Sequence, residues 1–219
     1  MINTADFPIR NQSSRAVRGS VALLALVVVG LSLQACTPKS QPEQSCNFVQ
    51  NSESQRISWG PQVPVVLLID NSVPHQYFDA IQAAAKQWNA KVGREVIKIG
   101  GWVKTNGVPS QDNQNIIYFL NTWEADRSNE QARTTVYWAG DRIYEADIRI
   151  NAHDFTFFSG DTAVVSEVDF QSLVLHEMGH VLGLAHSLTP QSVMLKSLAS
   201  ATKRRELSAS DQDSIRCEY

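Results

Sequence analysis

His176-Glu177-Met178-Gly179-His180-Val181-Leu182-Gly183-Leu184-Ala185-His186 gathers three imidazoles, one carboxylate and two glycines into a single short segment. On a helix His176 and His180 stand one turn apart and leave the same face, so both rings can reach one metal ion. Imidazole nitrogens at that spacing suit zinc, bound at about 2.0–2.1 Å. Glu177 lies one step round from His176, beside the metal and not aimed to ligate it. A carboxylate there can take a proton from a metal-activated water as the water attacks a carbonyl. Gly183 supplies the turn, because glycine tolerates the left-handed backbone that ends a helix. His186 then returns as third ligand, and a fourth position is left open, as catalytic zinc sites require and structural ones do not.

The helix carrying these residues accepts two glycines, each costing roughly 1 kcal/mol relative to alanine. Close packing at Gly179 and a sharp turn at Gly183 are the reasons expected for them. Upstream, Val63 to Ile69 is an apolar run of strand length. From Pro74 to Ala90, Phe78, Ile81, Ala85 and Trp88 recur at helical spacing, which predicts an amphipathic helix with its stripe in the core. Glu95 to Ile99 alternates like a strand, and Asn115 to Leu120 reads as a short buried one. Thr134 to Trp138 and Glu145 to Asn151 flank Ala139-Gly140-Asp141, a hairpin-like turn. Ser208 followed by Asp211 is a capping-box-like start for a last helix.

The H-E-x-x-H-x-x-G-x-x-H pattern resembles that of the metzincin metalloproteases, and more of the chain agrees with it. Ser192-Val193-Met194, behind the turn-prone Thr189-Pro190-Gln191, stands where metzincins carry a methionine turn beneath the zinc. Ser187 after the third histidine, no tyrosine close behind Met194, and the Leu207 to Ile215 segment with Tyr219 are similar to matrixins. The resemblance implies an α+β metzincin (zincin) fold: a mixed twisted sheet, a long helix of the N-terminal subdomain, the zinc-binding helix, the Met-turn and a C-terminal helix. It implies peptide-bond hydrolysis with His176, His180 and His186 on one zinc and Glu177 as general base. It further implies Met194 in the Met-turn, Asp211 hydrogen-bonded to that turn, and Thr134 to Trp138 as the sheet edge where an extended substrate pairs. The metal site alone says only metal-assisted hydrolysis.

The chain departs from the family in two places. Nothing matches the His-, Gly- and Asp-bearing run that holds a second zinc and calcium in vertebrate-type matrixins. His153-Asp154 reads as a polar loop and His75 as a helix-start residue, so one zinc is expected and calcium is left open. Leu195-Lys196-Ser197 differs from the usual sequence after the methionine, so substrate preference does not transfer.

The first residues carry Arg10, Arg15 and Arg18, and Val21 to Leu33 is then nearly all apolar. That run is too short to span a bilayer and suits a signal-peptide core. Leu33-Gln34-Ala35-Cys36 resembles a bacterial lipobox, which would make 1–35 a lipoprotein signal peptide and Cys36 the acylated residue. Ordinary cleavage after Ala35 is the alternative. Thr37 in place of Asp favours the outer membrane, facing periplasm or cell surface. Setting Cys36 aside leaves Cys46 and Cys217, a pair in an exported chain; a disulfide is the simplest reading and two free thiols the other. Residues 36–60, rich in Ser, Gln, Pro and Glu, read as a lipid-anchored polar tether, and 61–219 as one catalytic domain.

The 219-residue chain has 19 Lys and Arg against 22 Asp and Glu, net −3, and the leader takes three of the arginines with it. Such a balance points away from nucleic acid. Lys203-Arg204-Arg205 reads as a solvated loop. The expected partners are a protein or peptide substrate and a membrane, with the protein a monomer. Two other functions share these features: an inactive lipid-anchored zinc-binding surface module, usually marked by loss of the glutamate, and a hydrolase of cell-wall peptides.

Overall fold

The computed structural model describes residues 46–219. The signal segment, Cys36 and the tether up to residue 45 lie outside the described residues.

A five-stranded sheet forms the frame. β1 (Val65–Asp70), β2 (Ile97–Val103), β3 (Asn115–Leu120) and β5 (Arg142–Asn151) run parallel to their neighbours, while β4 (Ala132–Ala139) pairs antiparallel with β5. The order is β2-β1-β3-β5-β4, which leaves β4 at an edge. The β4–β5 hairpin turns at Gly140, whose φ of 61° belongs to the left-handed region. Val65, Leu67 and Ile69 of β1 bury alternately along one face, and Ile116 and Ile117 of the interior strand β3 are fully buried.

α1 (Phe78–Val92) packs through Ile81, Ala84, Ala85 and Trp88, which recur every three or four residues and are all buried. Pro74 is extended, so a 3₁₀ turn (His75–Tyr77) precedes the helix and its start falls later than Pro74. Gly93, at φ 84°, ends α1. The Asn89 side chain then accepts from the Val96 and Ile97 N–H groups at 2.8 and 2.9 Å, tying the helix end to the start of β2.

Two short strands, β6 (Phe157–Phe158) and β7 (Val168–Asp169), lead into α2 (Phe170–Val181). α2 is buried on almost every face, its His176, Glu177 and His180 included, so it is enclosed by its domain. Asp169 caps it by accepting from the Ser172 N–H at 3.1 Å. On the α1 side, Trp88 Nε1 donates to the Leu175 carbonyl at 3.0 Å. The last helix, α3 (Ala209–Ile215), opens with a complete capping box between Ser208 and Asp211. Among the described residues the architecture is α+β, with a mixed sheet and three α-helices.

Two expectations need correction. Residues 46–60 are not a free tether: Phe48, Ile57 and Trp59 are buried in the common core. The polar composition of the stretch hides these three apolar anchors, and its backbone pairs with residues 183–185. A Cys46–Cys217 disulfide, with Cα atoms 6.1 Å apart, fastens its beginning to the end of the chain. Nor is Lys203-Arg204-Arg205 a solvated loop. Arg205 grips both carboxylate oxygens of Asp169, at 2.9 and 2.5 Å, and the Arg204 N–H donates to Ser172 Oγ at 2.6 Å. The basic run therefore braces the start of α2, because a buried N-capping carboxylate needs a cation beside it.

Candidate metal centre

His176 and His180 leave α2 one turn apart, with ring centroids 4.7 Å from each other. Leu182 closes the helix and Gly183, at φ 95°, reverses the chain. The reversal brings the His186 ring to 5.4 Å from that of His176 and 4.8 Å from that of His180. One ligand atom from each histidine lies within 4.8 Å of the other two, and among the described residues no other set of three His, Cys, Asp or Glu does this. His153 pairs with Asp154 at 2.9 Å in an exposed loop, and the His75 ring centroid lies 4.2 Å from that of Trp102. The His75 ring is tilted against Trp102, 47° from its plane, and neither histidine joins the cluster.

The tautomers follow from the partners. His176 Nδ1 faces the Val193 carbonyl at 2.7 Å, and His180 Nδ1 faces the Leu184 carbonyl at 2.7 Å. A carbonyl only accepts, so each Nδ1 carries the hydrogen and each Nε2 presents a lone pair. Those two Nε2 atoms stand 3.0 Å apart. Two lone pairs so close repel, and a shared cation turns that repulsion into binding. Burial drives His176 down to about 3, His186 to about 4 and His180 well below the usual imidazole range. All three are therefore neutral near pH 7, the form a metal needs. The donor set fits a zinc ion.

Glu177 is fully buried beside the cluster. Its Oε2 meets Thr134 Oγ1 of β4 at 2.6 Å, while its Oε1 is buried with no hydrogen-bond partner. Burial pushes the carboxyl up to about 8; the Thr134 hydrogen bond opposes that, Glu130 adds to it, and Arg133 opposes it, while a cation held by the three histidines would favour the ionised form that a base needs.

Beneath the cluster, Met194 is buried against the helix. A Cβ placed on Gly179 would come within 2.2 Å of Met194 Sδ and 3.0 Å of Trp88. Asp211 accepts from the Val193 N–H at 2.9 Å and from Ser192 Oγ, holding the turn that holds His176. Behind Gly183, the segment from Cys46 forms a strap. The Val49 N–H donates to the Gly183 carbonyl at 2.9 Å, the Ala185 N–H to the Asn47 carbonyl at 2.8 Å, and Asn47 Nδ2 to the Ala185 carbonyl at 2.7 Å. Trp59 Nε1 and the Tyr219 hydroxyl satisfy the Val181 and Leu182 carbonyls at 2.7 and 2.8 Å. These satisfy the carbonyls that a helix end leaves without partners.

The sequence reading missed Thr134, Asn47 and Asp169. Asp169 was legible as an N-cap residue before an apolar helix. Thr134 and Asn47 carried no signal, since their partners lie 43 and 138 residues away.

The family model described as Matrixin matches residues 75–219, about two thirds of the chain. The chain belongs to the matrixin family. Metalloendoproteinase 1 of Glycine max is 36% identical to it over 72 residues, which are 32% of this chain and 24% of that protein. Metalloendoproteinase 2-MMP of Arabidopsis thaliana is 31% identical over 74 residues, 32% of this chain and 20% of its own length. The matched part of this matrixin thus spans a quarter or less of these plant relatives.

Proposed function

We propose that this matrixin is a zinc-dependent endopeptidase whose general base is Glu177. The observation that carries the reading is the pair of Nε2 lone pairs of His176 and His180, converging with His186 beside a buried carboxylate. The metalloendoproteinases to which the chain is similar favour a peptide substrate. Zinc bound by the three histidines would supply a Lewis acid for the water and the scissile carbonyl.

The chain's own residues supply the rest. Glu177 takes a proton from the attacking water and delivers it to the leaving amine as the peptide bond breaks. The Val193 and Leu184 carbonyls keep His176 and His180 in the ligating tautomer. The outer edge of β4 offers backbone groups to an extended peptide, which would lie across the site as an added strand.

The domain is proposed to be exported and held at a bacterial membrane through an acylated Cys36, with residues 37–45 as the remaining tether. The Cys46–Cys217 disulfide supports an oxidising compartment.

Cleavage of a mixed peptide library by the zinc-loaded protein, beside Glu177→Ala at equal zinc content, tests the reading. The variant should lose about a hundredfold or more in kcat. Equal silence from both proteins, with zinc bound, would overturn it.

A further inference from the structure

Thr134 sits on the face of β4 turned toward α2, between Ala132 and Val136, which are both buried and apolar. Its own side chain is buried as well. Valine has nearly the same shape and would satisfy those neighbours without bringing a polar group that must be paired. A hydroxyl at this place needs a partner, and it has one. Thr134 Oγ1 lies 2.6 Å from Glu177 Oε2 and 3.2 Å from the Glu177 backbone carbonyl. The shorter contact is the better bond for a donor with a single hydrogen.

The other carboxylate oxygen gives this contact its meaning. Glu177 Oε1 is buried and has no hydrogen-bond partner. A polar atom left so in a core is costly and calls for a reason, and next to His176 of the three-histidine cluster the reason at hand is chemical. One oxygen is held and the other is left available.

We propose that Thr134 is the positioning residue for Glu177: its hydroxyl fixes Oε2 and thereby dedicates Oε1 to carrying the proton. This rests on the reading of Glu177 as general base. Because Thr134 belongs to the edge strand, a peptide paired along β4 and the orientation of the base share one residue.

The test uses the full zinc-loaded protein as parent, Thr134→Val, Thr134→Ser, Glu177→Ala and the Thr134→Val/Glu177→Ala double variant, assayed on a fluorogenic peptide library. Thr134→Val should lower kcat roughly ten- to a hundredfold, the loss of a hydrogen bond to a charged group, with KM nearly unchanged. Thr134→Ser should restore most of that loss, and Thr134→Val should cost nothing further in the Glu177→Ala background. Independently of activity, a crystal structure of metal-free Thr134→Val should show the Glu177 carboxylate turned away from its parent position, and that of Thr134→Ser should show it kept. If Thr134→Val does not fold, Thr134→Ala removes the same hydroxyl and takes its place in both measurements. Parent-like kcat in Thr134→Val beside a silent Glu177→Ala would overturn the positioning role and leave the general base standing. So would failure of serine to rescue, or an unmoved carboxylate. An active Glu177→Ala would instead overturn the reading beneath it.

Discussion

His176 Nδ1 lies 2.7 Å from the carbonyl oxygen of Val193, so the first histidine of the cluster is aimed by the residue before Met194. The Val193 N–H is in turn held by Asp211 Oδ2 at 2.9 Å, and Asp211 also accepts from the Ser208 N–H at 2.9 Å. One buried carboxylate therefore connects the cap of α3, the turn at Ser192-Val193-Met194 and, through Val193, His176 of α2.

Asp211→Ala should break this relay. The Val193 N–H and Ser192 hydroxyl would be left buried without an acceptor, at a cost of about 2–4 kcal/mol. Zinc affinity should fall by roughly 10–100-fold, as it does when outer partners of a ligating histidine are removed. Zinc competition against a chromogenic chelator, with thermal melts of the metal-free forms, separates the two effects. Unchanged affinity with lowered stability would show that Asp211 serves only the fold.

The strap predicts a redox effect on the metal. Cys46 begins the segment whose residues 47–49 pair with 183–185, immediately before His186. Opening the 171-residue loop, by reduction or by Cys46→Ser with Cys217→Ser, should destabilise by up to about 4–5 kcal/mol in the chain-entropy description and lower Tm by roughly 10 °C. Zinc should also leave faster, because His186 loses the support behind its turn. Asn47→Ala, which keeps the disulfide, should reproduce part of the faster release at a stability cost of about 1–2 kcal/mol. Stopped-flow chelation measures the release. If rates match in all forms, the strap supports the fold and not the ligand.

The zinc motif was legible because its spacing is local: a helix turn and a glycine reversal are written in consecutive residues. Gly179 and Gly183 were legible for the same reason, as expenses that a helix does not accept without cause. Strand and helix positions followed from periodicity, and β3 at Asn115–Leu120 has the bounds its apolar run implies. The strap was not legible. Its three apolar anchors are dispersed among polar residues, and what orders it is a backbone edge more than a hundred residues away. Arg205 misled in the same way, since a basic run looks solvated until the buried Asp169 that needs it is in place. Side-chain pairs across long separations, Thr134 with Glu177 above all, leave no local trace.

The two glycines should fail differently when given a Cβ. Gly183→Ala meets both a left-handed φ of 95° and the Ile57 carbonyl at 2.3 Å, neither of which can give way. About 3 kcal/mol or more should be lost, together with third-ligand binding. Gly179→Ala meets chiefly the end of the Met194 side chain, so the loss should be smaller, about 2 kcal/mol, with zinc binding retained. Adding Met194→Val should recover part of that loss, a non-additivity that urea melts of the four proteins would reveal. Strict additivity would mean that Trp88, 3.0 Å away, sets the limit instead.

Asp147 should make stability depend on pH away from the metal. Burial pushes this carboxyl up to about 7; the Ile116 N–H, which donates to it at 3.0 Å, opposes the shift, while Glu145 and Asp112 add to it. Its folded pKa stands above the ordinary value of 3.8. The folded state therefore holds a proton that the unfolded chain has released between about pH 4 and pH 7. The stability this contributes is complete below pH 4 and is lost as pH rises through 7. Asparagine can accept from Ile116 without ionising, so Asp147→Asn should be more stable than the parent at pH 8, by about 1–3 kcal/mol. At pH 4 the two should be equal, or the variant slightly weaker. Urea melts of both proteins in the zinc-free form at the two pH values measure the difference, with the site groups common to both cancelling. An advantage of the same size at pH 4 and pH 8 would mean that the asparagine acts through packing, and that Asp147 does not titrate between them.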